Sequence, residues 1–132
     1  MSHPALRRFE ARLQTLFREV DALLEERYGH RYRLHPNRAE EGRTSAPEHD
    51  GLFNIGASFS AGYGSDLGRG YVIEIRMVTL ENVPHEERFG IESEAAELID
   101  RKLKEHFPDR ELDLARDGQV FKIYGDLSLG ET

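Results

Sequence analysis

The sequence predicts a single α+β domain over residues 1–132: an antiparallel sheet of four to five strands with two long helices packed on one face. Three observations predict it. Two long stretches carry apolar residues at helical spacing, several shorter ones alternate apolar with polar, and no repeat or linker divides the chain. A length of 132 residues lies inside the usual range for one domain, and a hydrophobic fraction of 38% can supply its core without a metal or disulfide staple.

The first helix opens at Pro4, whose missing N–H costs nothing in a first turn, with Ser2 or His3 flanking it as a cap. Leu6, Phe9, Leu13, Leu16, Phe17, Val20, Leu23, Leu24 and Tyr28 then form one stripe, and Gly29 follows at the left-handed C-terminal position. Leu6, Phe9, Leu13, Leu16, Val20 and Leu23 alternate threes and fours as a heptad seam does. The run is shorter than three heptads, and Phe17 and Leu24 widen the stripe, so packing on a sheet is expected over a coiled coil.

A brief strand is expected at 31–35, where Tyr32 and Leu34 alternate with Arg31, Arg33 and His35 before Pro36. Residues 36–50 are polar, hold two prolines and read as a mobile surface loop. Phe53, Ile55, Ala57 and Phe59 alternate with Asn54, Gly56, Ser58 and Ser60, the period of a half-buried strand. The strongest strand signal is 71–80, with Tyr71, Ile73, Ile75 and Met77 on one face. Two adjacent strands with a modest connection form an antiparallel hairpin most simply. Residues 81–90 read as a connection with one helical turn after Pro84. A second helix is predicted over 91–107, its stripe made of Ile91, Ala95, Leu98, Ile99, Leu103 and Phe107, and Pro108 stops it. Two short strands, 111–114 and 119–124, flank Arg116-Asp117-Gly118, a hairpin signal. The predicted order is helix, strand, strand, strand, helix, then one or two strands.

The balance of charge narrows the function. Net charge is -7, and residues 91–132 carry six bases against eleven acids, so a general phosphate-backbone binder is not expected. The exception is local: Arg27, His30, Arg31, Arg33, His35, Arg38 and Arg43 form a basic stretch, read as a solvated strand and loop. No secretory signal or membrane-spanning run is visible, which gives a cytoplasmic expectation with no membrane partner. Cysteine is absent, which excludes disulfides and thiolate chemistry.

Residues 62–70, Gly-Tyr-Gly-Ser-Asp-Leu-Gly-Arg-Gly, are the most unusual stretch. Four glycines allow positive φ and close backbone approach, so the loop could wrap an anion with its N–H groups. It joins two strands, which excludes a dinucleotide fingerprint and a Walker loop, both of which open a helix. Two readings follow, a hairpin tip and a ligand flap with contacts from Gly62, Gly64, Ser65, Asp66, Gly68, Arg69 and Gly70. The six histidines lack paired metal-ligand spacing, so no metal and no cofactor are expected. On the sheet face away from the helices, Asn54, Ser58 and Ser60 meet Glu74, Arg76, Lys122 and Tyr124, a candidate interaction face on which Glu74 and Arg76 pair as a surface salt bridge.

In size, acidity and element order the chain is similar to type III secretion chaperones and related small dimeric adaptors, apart from the final helix common in those chaperones. That resemblance is one of fold. The leading expectation is a non-enzymatic binding or protein-interaction domain that pairs with itself or with a protein partner. A small-ligand protein or enzyme using the glycine-rich loop is the alternative. Charge placed at Leu13 or Val20 separates interface from core: a dimer would dissociate, a monomer core would unfold.

Overall fold

The computed structural model describes residues 4–33, 51–118 and 120–127. Helix α1 (Pro4–Tyr28) leads to strands β1 (Phe53–Ser60) and β2 (Gly70–Met77), helix α2 (His85–His106), and strands β3 (Leu112–Asp117) and β4 (Val120–Gly125). The four strands form one antiparallel sheet in the order β1-β2-β4-β3, so two hairpins lie side by side with β1 and β3 at the edges.

Register follows from the alternation in the sequence. Ile55 faces Ile75, Ala57 faces Ile73, and Tyr71 and Ile73 face Ile123 and Phe121 across the central pair. A strand turns successive side chains to opposite faces, so these apolar residues share one face with Phe53, Leu112 and Leu114. Against that face pack Phe9, Leu13, Leu16, Phe17, Val20 and Leu24 of α1, and Ile91, Ala95, Leu98, Ile99 and Leu103 of α2. α1 touches β1 and α2 touches β3, which makes a two-layer α+β domain with both helices on one face.

Four details differ from the sequence reading. Residues 31–33 form a turn rather than the start of a strand, while Leu34 and His35 lie outside the described residues, so the order is α-β-β-α-β-β. The Arg31 N–H bonds back to the Tyr28 carbonyl at 2.9 Å, and Tyr32 gives its hydroxyl to Glu87. Among the described residues, the element order thus lacks the third consecutive strand of the small dimeric adaptors it resembles. α2 starts at His85, six residues before the expected 91, because Pro84 stands at its N-cap and Glu86 and Glu87 favour the positive end of the helix. Gly29 does not adopt the left-handed conformation. Its lack of a side chain serves close approach, since a Cβ there would sit 2.5 Å from the Glu25 carbonyl oxygen. Finally, Phe59 belongs to the helix-facing side of β1 but lies beyond helix cover and is 57% exposed. The expected loop at 36–50 lies outside the described residues.

Candidate interaction surface and its polar anchors

The register brings the predicted polar face together. Asn54 pairs with Arg76, Gly56 with Glu74, Ser58 with Val72 and through it with Lys122, and Ser60 with Gly70 and through it with Tyr124. Asn54, Ser58, Ser60, Glu74, Arg76, Lys122 and Tyr124 therefore share the face away from the helices. Glu74 and Arg76 are exposed there, and no ion pair joins them among the described residues.

Lys122 has a different fate. The glycine-rich loop leaves β1, folds over this face and covers Lys122, leaving it 1% exposed. The Lys122 ammonium donates to Ser65 Oγ (3.1 Å) and to the Gly68 carbonyl, and Asp117 Oδ2 lies 3.7 Å away. Ser65 in turn donates to Asp117 Oδ2 at 2.6 Å and accepts from the Leu67 N–H at 3.1 Å. The trio is thus an anchor for the loop. The loop also closes on itself: Gly62 N–H donates to Ser60 Oγ and Ser65 N–H to the Gly62 carbonyl. Gly62, with φ of +90°, leaves no room for a Cβ, which would fall 2.2 Å from the Gly68 carbonyl carbon. These amides, and those of Leu67 and Gly68, are engaged within the loop rather than turned to an anion. Gly64 and Asp66 lie at its exposed tip beside Tyr63, which is 96% exposed. Gly70 lets β2 approach β4, with a Cβ position only 2.2 Å from the Ile123 carbonyl oxygen.

Lys122→Met keeps the stem and removes the charge, leaving the Gly68 carbonyl without its donor and Asp117 without its ion pair. Loss of about 1–3 kcal/mol is expected in urea unfolding, together with faster amide exchange through residues 62–69.

The outer edge of β1 is organised by a residue absent from the sequence-based candidates. Glu25, buried near the end of α1, accepts the Leu52 N–H (2.7 Å) and the Phe53 N–H (2.9 Å) on its Oε2. The Val78 N–H donates to the Leu52 carbonyl, which makes Leu52 and Val78 a hydrogen-bonded pair. Antiparallel ladders alternate, so Asn54, Gly56, Ser58 and Ser60 bond to β2, and Phe53, Ile55, Ala57 and Phe59 turn their backbone groups outward. Glu25 satisfies the Phe53 N–H. Further along, Gly56, Ala57, Ser58 and Phe59 are exposed, and the outward groups of Ala57 and Phe59 meet no strand among the described residues. β1 holds no charged residue at all. The opposite edge is guarded: β3 carries Asp113, Arg116 and Asp117, and Lys104 of α2 donates to the Leu112 carbonyl at 2.6 Å. Sheets normally blunt their edges by such means.

At the far end of β1 lies an apolar cavity of about 300 Å³, lined by Leu6, Phe9, Glu10, Phe59, Arg69, Tyr71 and Leu127. Phe9, Tyr71 and Phe59 form a chain of rings with centroids 5.7 Å apart at each step. The Tyr71 hydroxyl donates to Glu10 Oε2 at 3.0 Å. Burial first, and then that bond to a carboxylate, push the phenol up to about 12. A folded value above the ordinary 10 contributes stability that is complete below pH 10 and lost as pH rises toward 12. Tyr71→Phe is therefore expected to flatten the fall of melting temperature between pH 10 and 12.

The basic stretch is partly neutralised where it is described. Arg27 pairs with Glu94, and the Arg31 guanidinium lies 5.4 Å over the Tyr28 ring. The hydrogen bond from Tyr28, followed by that from Arg27, holds the Glu94 carboxyl below the usual carboxylate range. Arg38 and Arg43 lie outside the described residues. His106 bonds Glu19 at 2.9 Å, His85 rests beside the Phe89 ring, and no group of three metal-ligating side chains gathers among the described residues. No helix among them is long and apolar enough to cross a membrane.

The site and fold thus define an α+β architecture whose uncharged β1 edge meets no further strand among the described residues. The chain belongs to a family of uncharacterised proteins, which matches it over residues 4–125. It is similar to an uncharacterised protein of Borreliella burgdorferi (strain ATCC 35210 / DSM 4680 / CIP 102532 / B31), with 40% identity over 117 residues, covering 89% of this chain and 91% of the relative. No solved structure matches it.

Proposed function

We propose that the chain is a protein-interaction domain that recognises its partner by strand addition along the outer edge of β1, a second copy of itself being that partner. The observation that carries this reading is the contrast between the two sheet edges. β3 is charged and covered by Lys104, whereas β1 between Gly56 and Ser60 is uncharged and exposed, with Phe59 unburied beside it. An unblunted edge is a template for another strand.

Self-pairing suits the strand. Without charges, β1 meets no like-charge repulsion when it faces its own copy in antiparallel sense. A two-fold axis through Ser58 sets Ala57 opposite Phe59 of the second copy. Because Ala57 and Phe59 turn their backbone groups outward, that register makes four interchain hydrogen bonds. It also lays each exposed Phe59 ring over a small Ala57, and keeps all four helices on one face of an eight-stranded sheet.

This reading moves self-association away from α1. Leu13 is 3% exposed and Val20 fully buried within one copy, so the helix stripe is spent on the chain's own core. Ala57→Pro removes an outward N–H without touching the bonds to β2, and Ala57→Lys adds a charge that edge strands use against pairing. Both are expected to abolish a dimer seen in sedimentation velocity, with a melting temperature close to that of the parent chain.

A further inference from the structure

We propose that the cavity at the end of β1 binds a small zwitterion with an apolar side chain, of the size and chemistry of leucine or phenylalanine. This site shares Phe59 with the β1 edge but stands on a different observation, the cavity and the two charged side chains that line it. The floor is apolar: Phe9 and Tyr71 are buried, Leu6 and Leu127 line the sides, and Phe59 offers an exposed ring. At about 300 Å³ the space sits at the small end of ligand pockets, which suits a single amino-acid-sized molecule rather than a cofactor.

The charged groups at this cavity are one cation and one anion. Arg69 is exposed and makes no ion pair among the described residues. Its planar guanidinium presents the fork that matches a carboxylate. Glu10 accepts the Tyr71 hydroxyl on Oε2, which fixes the carboxylate and leaves its other oxygen as an acceptor for an ammonium group. A plain fatty or aromatic acid would satisfy Arg69 but bring its charge toward Glu10, and an amine would do the reverse. A zwitterion meets both charges while its side chain fills the aromatic floor.

The test is a titration of the full chain with L-phenylalanine, followed through amide and aromatic nuclear magnetic resonance shifts. The Ala57→Pro chain is titrated alongside, so that failure of self-pairing leaves the result readable. Saturable shifts confined to Leu6, Phe9, Phe59, Arg69, Tyr71 and Leu127 are expected. Phenylalaninamide, which lacks the carboxylate, and 3-phenylpropionate, which lacks the amine, should each bind at least ten-fold more weakly. Arg69→Gln and Glu10→Gln should each weaken phenylalanine by about ten-fold, or 1.4 kcal/mol, with melting temperature unchanged. No saturable shift with phenylalanine or leucine overturns the proposal. So does binding of all three probes with equal strength, which would reduce the cavity to an unselective apolar surface.

Discussion

Val20→Asp is expected to unfold the chain. Val20 is fully buried in α1, among Leu16, Phe17 and Leu24 on the helix side that faces the sheet. An aspartate there loses the packing of an aliphatic side chain and places a carboxylate where no cation awaits it. Removing the compensation of a buried charge costs about 3–5 kcal/mol, and the lost burial adds to that. Small domains hold only about 5–15 kcal/mol in total, so little or no stability remains. Circular dichroism should show loss of helix at room temperature. Ala22→Asp, on the exposed side of the same helix, should change little. A folded, monomeric Val20→Asp chain would mean that the stripe serves an interface, and would overturn the placement of α1 on the sheet.

Glu25→Ala is expected to be the most damaging change of a polar side chain. The Glu25 carboxylate receives two backbone N–H groups, from Leu52 and Phe53, and both of those residues are 0% exposed. Alanine leaves both donors buried without a partner, at roughly 1–3 kcal/mol each. The sum, about 2–6 kcal/mol, stands at the upper end of single-residue effects. Glu25→Gln keeps an acceptor oxygen and should cost less than half as much, because only the charge assistance is lost. The same carboxylate dictates Gly51: its φ is +73°, and a Cβ would fall 2.5 Å from Glu25 Oε2. Gly51→Ala should therefore destabilise by about 1–2 kcal/mol from the backbone alone. Urea unfolding of the three variants orders them Glu25→Ala, then Gly51→Ala and Glu25→Gln.

These two residues also mark how far the sequence reads. Val20 sits in an unbroken 3.6-residue pattern, and the period by itself places it toward the sheet. β1 and β2 declare themselves by alternation, and Asp117-Gly118 announces the second hairpin, where Gly118 takes a φ of +67°. Glu25 obeys no such pattern. A glutamate one position past Leu24 reads as solvated, and only the return of the chain 27 residues later supplies the amides that bury it. A signal was present nonetheless, since Asp21 and Glu25 lie four apart beside Phe17, Leu24 and Tyr28, on the stripe rather than opposite it.

The candidate site divides in the same way. Alternation assigns Lys122 to the polar face, but its burial comes from a loop 57 residues away in sequence, and no local pattern encodes that contact. Residues 62–70 stand out by composition, yet their glycines serve close approach and closure of the loop upon itself. Arg69 alone of that stretch reaches the aromatic cavity, together with residues from α1 and the chain beyond β4. Strand order, which leaves β1 at an edge, cannot be read from the alternation of any one strand.

Sedimentation velocity of the parent chain and of Ala57→Pro, over a wide range of concentration, tests the role of that edge most directly. A parent dimer at accessible concentrations and a folded Ala57→Pro monomer are the expected results. A parent chain that stays monomeric throughout, or an Ala57→Pro chain that dimerises as the parent does, would contradict strand pairing along β1.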